Sequence, residues 1–168
     1  MELKFDIRGN LLPPTIISLE WTDFVHYFVT DFAESTTRKR LLTNFIDFIN
    51  SIQQDFNIDE FKVWIDGSFV SKKLNPRDID SVFLLDFKVC ERYKSVLDNN
   101  FFIKELKSTK GLDLYYSSEY PKNHKRHFLS HLNHLYWQDV YGHTRVDEND
   151  KQHSKGFIEL KFDKKWKN

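Results

Sequence analysis

Two apolar segments separated by a Gly-Ser turn constrain the fold of this chain most strongly. Residues 61–65 alternate as a strand does, and Gly67-Ser68 follow where the chain needs a turn. Residues 78–85 begin with two aspartates and continue in β-branched and aromatic residues. We therefore expect two strands that pair with each other, with polar groups at the turn and at the start of the second strand.

The remaining segments predict helices around this strand pair. Helical spacing of apolar residues indicates a helix over 20–33 and a second helix that follows the N-cap candidates at 35–37 and ends at about residue 56. It also indicates a third helix over 89–97 and a fourth that begins at Pro121 and ends at about residue 138. Residues 5–14 indicate an extended or turning lead-in, and strands are expected at 101–106, 112–116 and 156–162.

These segments predict one α/β or α+β domain over residues 1–168. Residues 1–58 would form the lead-in and a helix pair, and residues 59–168 a mixed sheet with a C-terminal helix and strand. We expect the helix pair and the 121–138 helix to pack on the sheet.

Composition excludes several classes of protein. The 168 residues include 16 Phe, 7 Tyr and 4 Trp but only 5 Gly and 4 Pro, which excludes a disordered or low-complexity chain. A net charge of zero argues against coating nucleic acid by net attraction, although a local basic face could still hold RNA. Cys90 cannot form an internal disulfide, and we find neither a signal-peptide pattern nor a long apolar run. We expect a cytoplasmic protein without a membrane segment.

A pair of aspartates provides candidate metal ligands. Asp78 and Asp80 lie two residues apart and therefore on the same face of their strand. Two such carboxylates repel each other unless a cation lies between them, which makes the pair a natural site for Mg²⁺. Asp113, between two leucines in a later strand, is the best candidate for a third carboxylate, which could complete a two-metal site or act as a general base.

A phosphate-binding segment precedes these aspartates. Gly67 would let the backbone come close to a phosphate, and Ser68 offers a hydroxyl and a backbone N–H. Four residues of the connecting loop could bind or neutralise a triphosphate: Ser71, Lys72, Lys73 and Arg77. A Gly-Ser turn or an Asp-x-Asp alone usually has no catalytic role, so the hypothesis depends on their combination.

That combination resembles the active-site signature of the nucleotidyltransferase superfamily, which includes DNA polymerase beta and the small bacterial minimal nucleotidyltransferases. The signature covers residues 61–86 and reaches Asp113 less specifically. Two further segments resemble an uncharacterised bacterial branch of that superfamily. Residues 9–14 resemble its Gly-x-Leu-Pro-Pro segment with one residue more than that pattern, and Lys155-Gly156-Phe157-Ile158-Glu159 resembles its Lys-Gly-Ile/Phe-x-Glu segment.

The resemblance implies a role for each residue of the signature. Gly67 and Ser68 would hold the phosphates of a nucleoside triphosphate such as ATP, and Asp78, Asp80 and Asp113 would bind Mg²⁺ or Mn²⁺. An acceptor hydroxyl would attack the α-phosphate and release pyrophosphate. The acceptor could be an RNA such as tRNA, a protein side chain or a small molecule.

A second hypothesis is a nucleotidyltransferase fold without turnover. Small members of the superfamily often occur in toxin–antitoxin or phage-defence systems, where such a protein would bind a cognate partner protein. The position of Asp113 distinguishes the two hypotheses. If its side chain pointed away from the other two aspartates, the binding hypothesis would gain.

Four histidines lie near the C-terminus at spacings of three, four and three residues: His124, His127, His131 and His134. On one helix they would share a face and could bind Zn²⁺, or contact phosphate or RNA together with Lys122, Lys125 and Arg126. We favour ordinary surface and core-edge histidines. Trp137 and Tyr141 are expected to pack in the core and not to stack on bases.

Overall fold

A five-stranded mixed sheet forms the centre of the protein in a computed structural model that describes residues 2–99 and 104–166. Its strands are β3 (Ile16–Leu19), β4 (Phe61–Asp66), β5 (Ile79–Asp86), β6 (Leu112–Glu119) and β7 (Phe157–Phe162). Their order is β3-β7-β4-β5-β6. The predicted α+β class is confirmed, as is the pairing of β4 with β5, which is antiparallel.

The N-terminal segment contributes more to the sheet than its sequence predicts. The lead-in contains a short hairpin of β1 (Lys4–Phe5) and β2 (Leu11–Leu12), as its turning pattern suggests. β3 then pairs in parallel with β7 at the edge of the sheet. The sequence does not predict this strand, because four residues shortly after a Pro-Pro pair give too short a pattern.

Two helices cover one face of the sheet. The first, α1 (Trp21–Phe28), is shorter than predicted and is followed by a 3₁₀ turn (Thr30–Phe32). The second, α2 (Arg38–Asp55), has the predicted extent. Their apolar stripes bury Phe24, Phe28 and Phe45 in the larger hydrophobic core.

The segment between β5 and β6 differs from prediction. The single helix expected over 89–97 is two short helices, α3 (Phe87–Arg92) and α4 (Lys94–Leu97). A strand was predicted over residues 101–106. Residues 101–103 lie outside the described residues, and for residues 104–106 the prediction is wrong. Residues 104 and 105 are α-helical and Leu106–Lys110 form a π-helix. Lys-Glu-Leu-Lys favours helix, and Gly111 ends it at a φ of 70°.

A C-terminal helix, α5 (His127–Tyr141), packs on the opposite face of the sheet. It begins six residues later than predicted, because residues 121–126 form turns in which His124 N–H donates to the Pro121 carbonyl. His124 therefore precedes the helix, and the prediction that all four histidines share one helix is wrong. The predicted packing of the helix pair and of this helix on the sheet is confirmed, and the structure places them on opposite faces.

Strand alternation separates the two cores. Phe83 and Leu85 of β5 point into the core with α1 and α2, whereas Val82 and Leu84 point into the second core beside α5. The central strands are therefore buried on both faces, which explains their nearly continuous apolar sequence. Asp80 has the parity of Val82 and so faces α5.

A buried arginine holds the loop that follows β4. The Arg38 guanidinium is fully buried, and burial lowers its pKa to about 10. It donates hydrogen bonds of 2.5–3.3 Å to five backbone carbonyls: Phe28, Phe69, Ser71, Lys73 and Leu74. This side chain thus joins α2 to the end of α1 and to the loop that carries Ser71 and Lys73.

We predict that Arg38→Met destabilises the protein by about 3 kcal/mol or more, because five carbonyls lose a charged donor that packing cannot replace. Arg38→Lys should lose less, since an ammonium reaches some of these carbonyls without the planar fork. Urea unfolding measures both. A Met variant as stable as the wild type would contradict this role.

Candidate active site

Three aspartates lie in a row across neighbouring strands. In the register of the sheet, Asp80 of β5 is opposite Asp66 of β4 on one side and opposite Asp113 of β6 on the other. Asp78 lies just before β5, on the same face as Asp80. Four carboxylates therefore meet at one end of the sheet, on the face that α5 covers.

Three of the four converge as sequence analysis predicted. One carboxylate oxygen each of Asp78, Asp80 and Asp113 lies within 4.8 Å of the others, and this is the only group of three or more potential metal ligands within residues 2–99 and 104–166. Oxygens bound to one Mg²⁺ lie up to about 4.2 Å apart, so a small closure would let this set bind the ion. Asp113 points toward the pair and not away from it.

Two lysines neutralise the outer carboxylates. Lys155, itself buried, forms an ion pair with Asp66 and donates a second hydrogen bond of 2.9 Å to the Tyr141 carbonyl. Lys107 forms an ion pair with Oδ2 of Asp113. Among the described residues, neither Asp78 nor Asp80 has an ion-pair partner. Two negative charges are thus left at the centre of the group.

The electrostatics of Asp80 follow from this arrangement. Burial, and then the charges of Asp78, Asp66 and Asp113, raise the pKa of Asp80 to about 6. Burial also raises the pKa of Asp66, against the opposing effect of Lys155. The ionised form of Asp80 is therefore disfavoured until a cation compensates it.

Gly67 is required by the position of Asp80. Its φ is 78°, and a Cβ there would lie 1.9 Å from Oδ2 of Asp80. The close approach that sequence analysis assigned to a phosphate is therefore made, in this structure, by a carboxylate. The turn that follows is a short 3₁₀ turn (Gly67–Val70) and not an α-helix.

A cleft of about 1080 Å³ opens beside these groups. Most of the predicted site residues line it: Gly67, Ser68, Ser71, Lys73, Arg77, Asp78, Asp80 and Asp113. Lys72 is not among its lining residues, because its Nζ lies 4.4 Å from the centre of the Phe5 ring. The cleft thus combines acidic, basic and hydroxyl groups from β4, β5, β6 and the loop between β4 and β5.

One buried hydroxyl in the cleft has no partner. Tyr141 lines the cleft, and within the described residues its Oη forms no hydrogen bond. Burial raises the pKa of this hydroxyl, with the charge of Asp66 adding to the effect, so it remains a donor. An unpaired buried hydroxyl is unfavourable by about 1–3 kcal/mol, and a bound ligand can remove that penalty.

A family of unknown function, DUF6932, matches residues 3–161. The chain belongs to this family. No curated protein and no solved structure matches the chain. Every residue of the cleft lies within the range matched by the DUF6932 model.

Two histidines of α5 form hydrogen bonds with residues at the end of β6 and just after it. His127 Nδ1 lies 2.9 Å from the Tyr120 carbonyl, and His134 Nε2 lies 2.8 Å from Glu119 Oε1. His131 is exposed. In the described part of the chain these rings do not form a group of three potential metal ligands. The contacts of His127 and His134 lie at the boundary between α5 and the end of β6.

Four residues of the site were not predicted to belong to it: Asp66, Lys107, Tyr141 and Lys155. Asp66 and Lys155 lay only within sequence motifs, Lys107 was assigned no role, and Tyr141 was expected only to pack in the core. Lysines are frequent in this chain, and nothing in the sequence marks the two that approach carboxylates.

No helix in the described residues has the length and apolar character needed to cross a membrane.

Asp80→Asn should stabilise the metal-free protein at neutral pH. The pKa of Asp80 is about 6 when folded against 3.8 as the ordinary value, so stability from this group is fully present below about pH 4 and is lost as the pH rises through about 6. We expect the variant to exceed the wild type by about 1–3 kcal/mol at about pH 7.5 and by little at about pH 4. Urea unfolding with a chelator tests this, and a pH-independent difference would contradict it.

Gly67→Ala should weaken metal binding, because its Cβ would displace Asp80. The backbone conformation alone should lower stability by about 1–2 kcal/mol. Gly9→Ala is the matched control, since Gly9 has a φ of 82° but a Cβ there would meet Lys72. Calorimetric titration with Mn²⁺ should show weaker binding for Gly67→Ala only. Equal affinities in both variants would contradict this explanation.

Proposed function

We propose that this protein is a nucleotidyltransferase that uses Mg²⁺ or Mn²⁺ to transfer a nucleoside monophosphate from a nucleoside triphosphate to an acceptor hydroxyl. The observation that carries the proposal is the convergence of Asp78, Asp80 and Asp113 within 4.8 Å, beside the Gly67-Ser68 turn. The resemblance of residues 61–86 to the nucleotidyltransferase signature supports the same reaction.

The carboxylates, the Gly-Ser turn and the basic loop residues of the cleft have different roles in this reaction. Asp78 and Asp80 bind the metal, which neutralises charge on the triphosphate, and Asp113 provides a third ligand or accepts the proton of the attacking hydroxyl. Ser68 offers its hydroxyl and N–H to the phosphates. Lys73 and Arg77 are the basic loop residues at the cleft, and Arg38 fixes the carbonyl of Lys73. Catalysis of this kind depends mainly on positioning and charge compensation.

The acceptor and the compartment belong to the same proposal. RNA such as tRNA, a protein side chain and a small molecule all present a suitable hydroxyl. We place the protein in the cytoplasm, which its single buried cysteine supports. A binding role in a toxin–antitoxin or phage-defence system needs no convergent carboxylates, so the geometry of Asp113 favours catalysis.

A labelling experiment tests the reaction. The purified protein is incubated with Mg²⁺, a cell extract and each nucleoside triphosphate, labelled either at the α-phosphate or at the γ-phosphate. We expect label from the α-position, and none from the γ-position, to appear in RNA, protein or small molecules. Transfer of γ-label would instead indicate a kinase, and no transfer with any triphosphate would favour the binding hypothesis.

Matched variants identify the responsible carboxylates. Asp78→Asn with Asp80→Asn should reduce transfer at least about 1000-fold, because the metal ligands are lost while the shape of the cleft is kept. Asp139→Asn removes an exposed carboxylate from the same cleft but lies outside the triad, and it should retain activity. Equal activity of all these proteins would refute the mechanism.

A further inference from the structure

Four aromatic side chains line the same cleft as the carboxylates. They are Tyr115 of β6 and Tyr136, Trp137 and Tyr141 of α5, and we call them the aromatic wall. Trp137 is the central ring, with ring centroids 5.0 Å from Tyr115, 5.2 Å from Tyr136 and 5.3 Å from Tyr141. The aromatic wall is thus one continuous packed group.

The outer two rings are open to solvent. Tyr136 is 61% exposed and Tyr115 is 47% exposed, whereas Tyr141 is buried and Trp137 is partly buried against the second core. The inner rings therefore fill the core, as predicted for Trp137 and Tyr141. Rings held by such packing lose little conformational entropy when a ligand covers them, so the outer pair forms a prepared stacking surface.

The aromatic wall lies directly beside the acidic group on strand β6. Tyr115 follows Asp113 by two residues on β6 and shares its face, so the two Cα atoms are about 6.6 Å apart. This is the length scale of the ribose that joins a phosphate to its base. A ligand whose phosphates lie at the triad would carry a planar ring to Tyr115 and Tyr136.

We propose that Tyr115 and Tyr136 bind the nucleobase of the triphosphate by stacking. This rests on the proposed function, because it takes the triad as the position of the metal and phosphates. Every base has a π face, so stacking binds all four bases with similar strength. The substrate class of this subsite is a purine or pyrimidine ring, with little discrimination among them.

The remainder of α5 provides a contrast. Leu132 is 53% exposed on the same helix but is not among the residues that line the cleft. Tyr136, one turn further on, does line it. Leu132→Ala therefore removes a comparable exposed apolar contact from α5 without touching the subsite, and it serves as the matched control.

The test compares two ligands that share their phosphates. Calorimetry with Mg²⁺ measures the affinity for α,β-methylene ATP, which resists transfer of its α-phosphate, and for inorganic tripolyphosphate, which has no base. We expect the nucleotide to bind wild type about tenfold or more tightly than tripolyphosphate. In the double variant Tyr115→Ala, Tyr136→Ala this ratio should fall close to one, with the affinity for tripolyphosphate unchanged.

Further variants keep the test decisive. Tyr115→Phe with Tyr136→Phe retains the rings and should retain the ratio, as should Leu132→Ala. Tyr136→Ala alone, at the more exposed position, should lower the ratio even if the double variant folds poorly. An unchanged ratio in Tyr136→Ala and in the double variant would overturn the stacking proposal while leaving the proposed function standing. Failure of both ligands to bind wild type would overturn both.

Discussion

Strand β5 is hydrogen-bonded along both edges, and its register determines where the acidic side chains lie. Asp80 meets Asp66 on one neighbour and Asp113 on the other. Because side chains alternate, a slip of one residue would turn Asp80 into the core under α2 and place Ile79 in the cleft. The cost of burying a carboxylate opposes that slip, because Asp80 would enter an apolar core without a partner. The alternation that builds the two cores therefore also holds the carboxylates together.

The sequence contains the information for this centre of the structure in local form. Long apolar strands, a Gly-Ser turn and an Asp-x-Asp pair each produce a readable pattern, and strand parity places Asp78 and Asp80 on one face and turns Asp113 away from its flanking leucines. The register of β5 with β6, which brings Asp113 to the pair, was not predicted. The fold class, the β4–β5 pairing and the packing of helices on the sheet follow from the same patterns, and all three are confirmed. The sequence did not predict that α1 and α2 lie on one face and α5 on the other.

The parts that were not predicted depend on contacts between distant residues. β3 is identified by its parallel pairing with β7, 141 residues later, and not by its own four residues. Arg38 is one of several charged residues at the start of α2, and only the folded loop shows that it binds five carbonyls. The partners of Lys107 and Lys155 are likewise set by tertiary approach. Charged side chains carry no local signal of their partner, so these interactions need the structure.

The charge balance of the cleft constrains the order in which its ligands can bind. Lys155 and Lys107 are already committed to Asp66 and Asp113, which leaves Asp78 and Asp80 uncompensated. A triphosphate that approached this pair without a cation would meet like charge in a partly desolvated site, where repulsion is stronger than in water. Among the described residues neither Lys73 nor Arg77 forms an ion pair with Asp78 or Asp80, so these loop residues leave that repulsion uncompensated. A divalent cation removes both charges at once, so in a nucleotidyltransferase built on this cleft the metal has to arrive before the triphosphate or together with it.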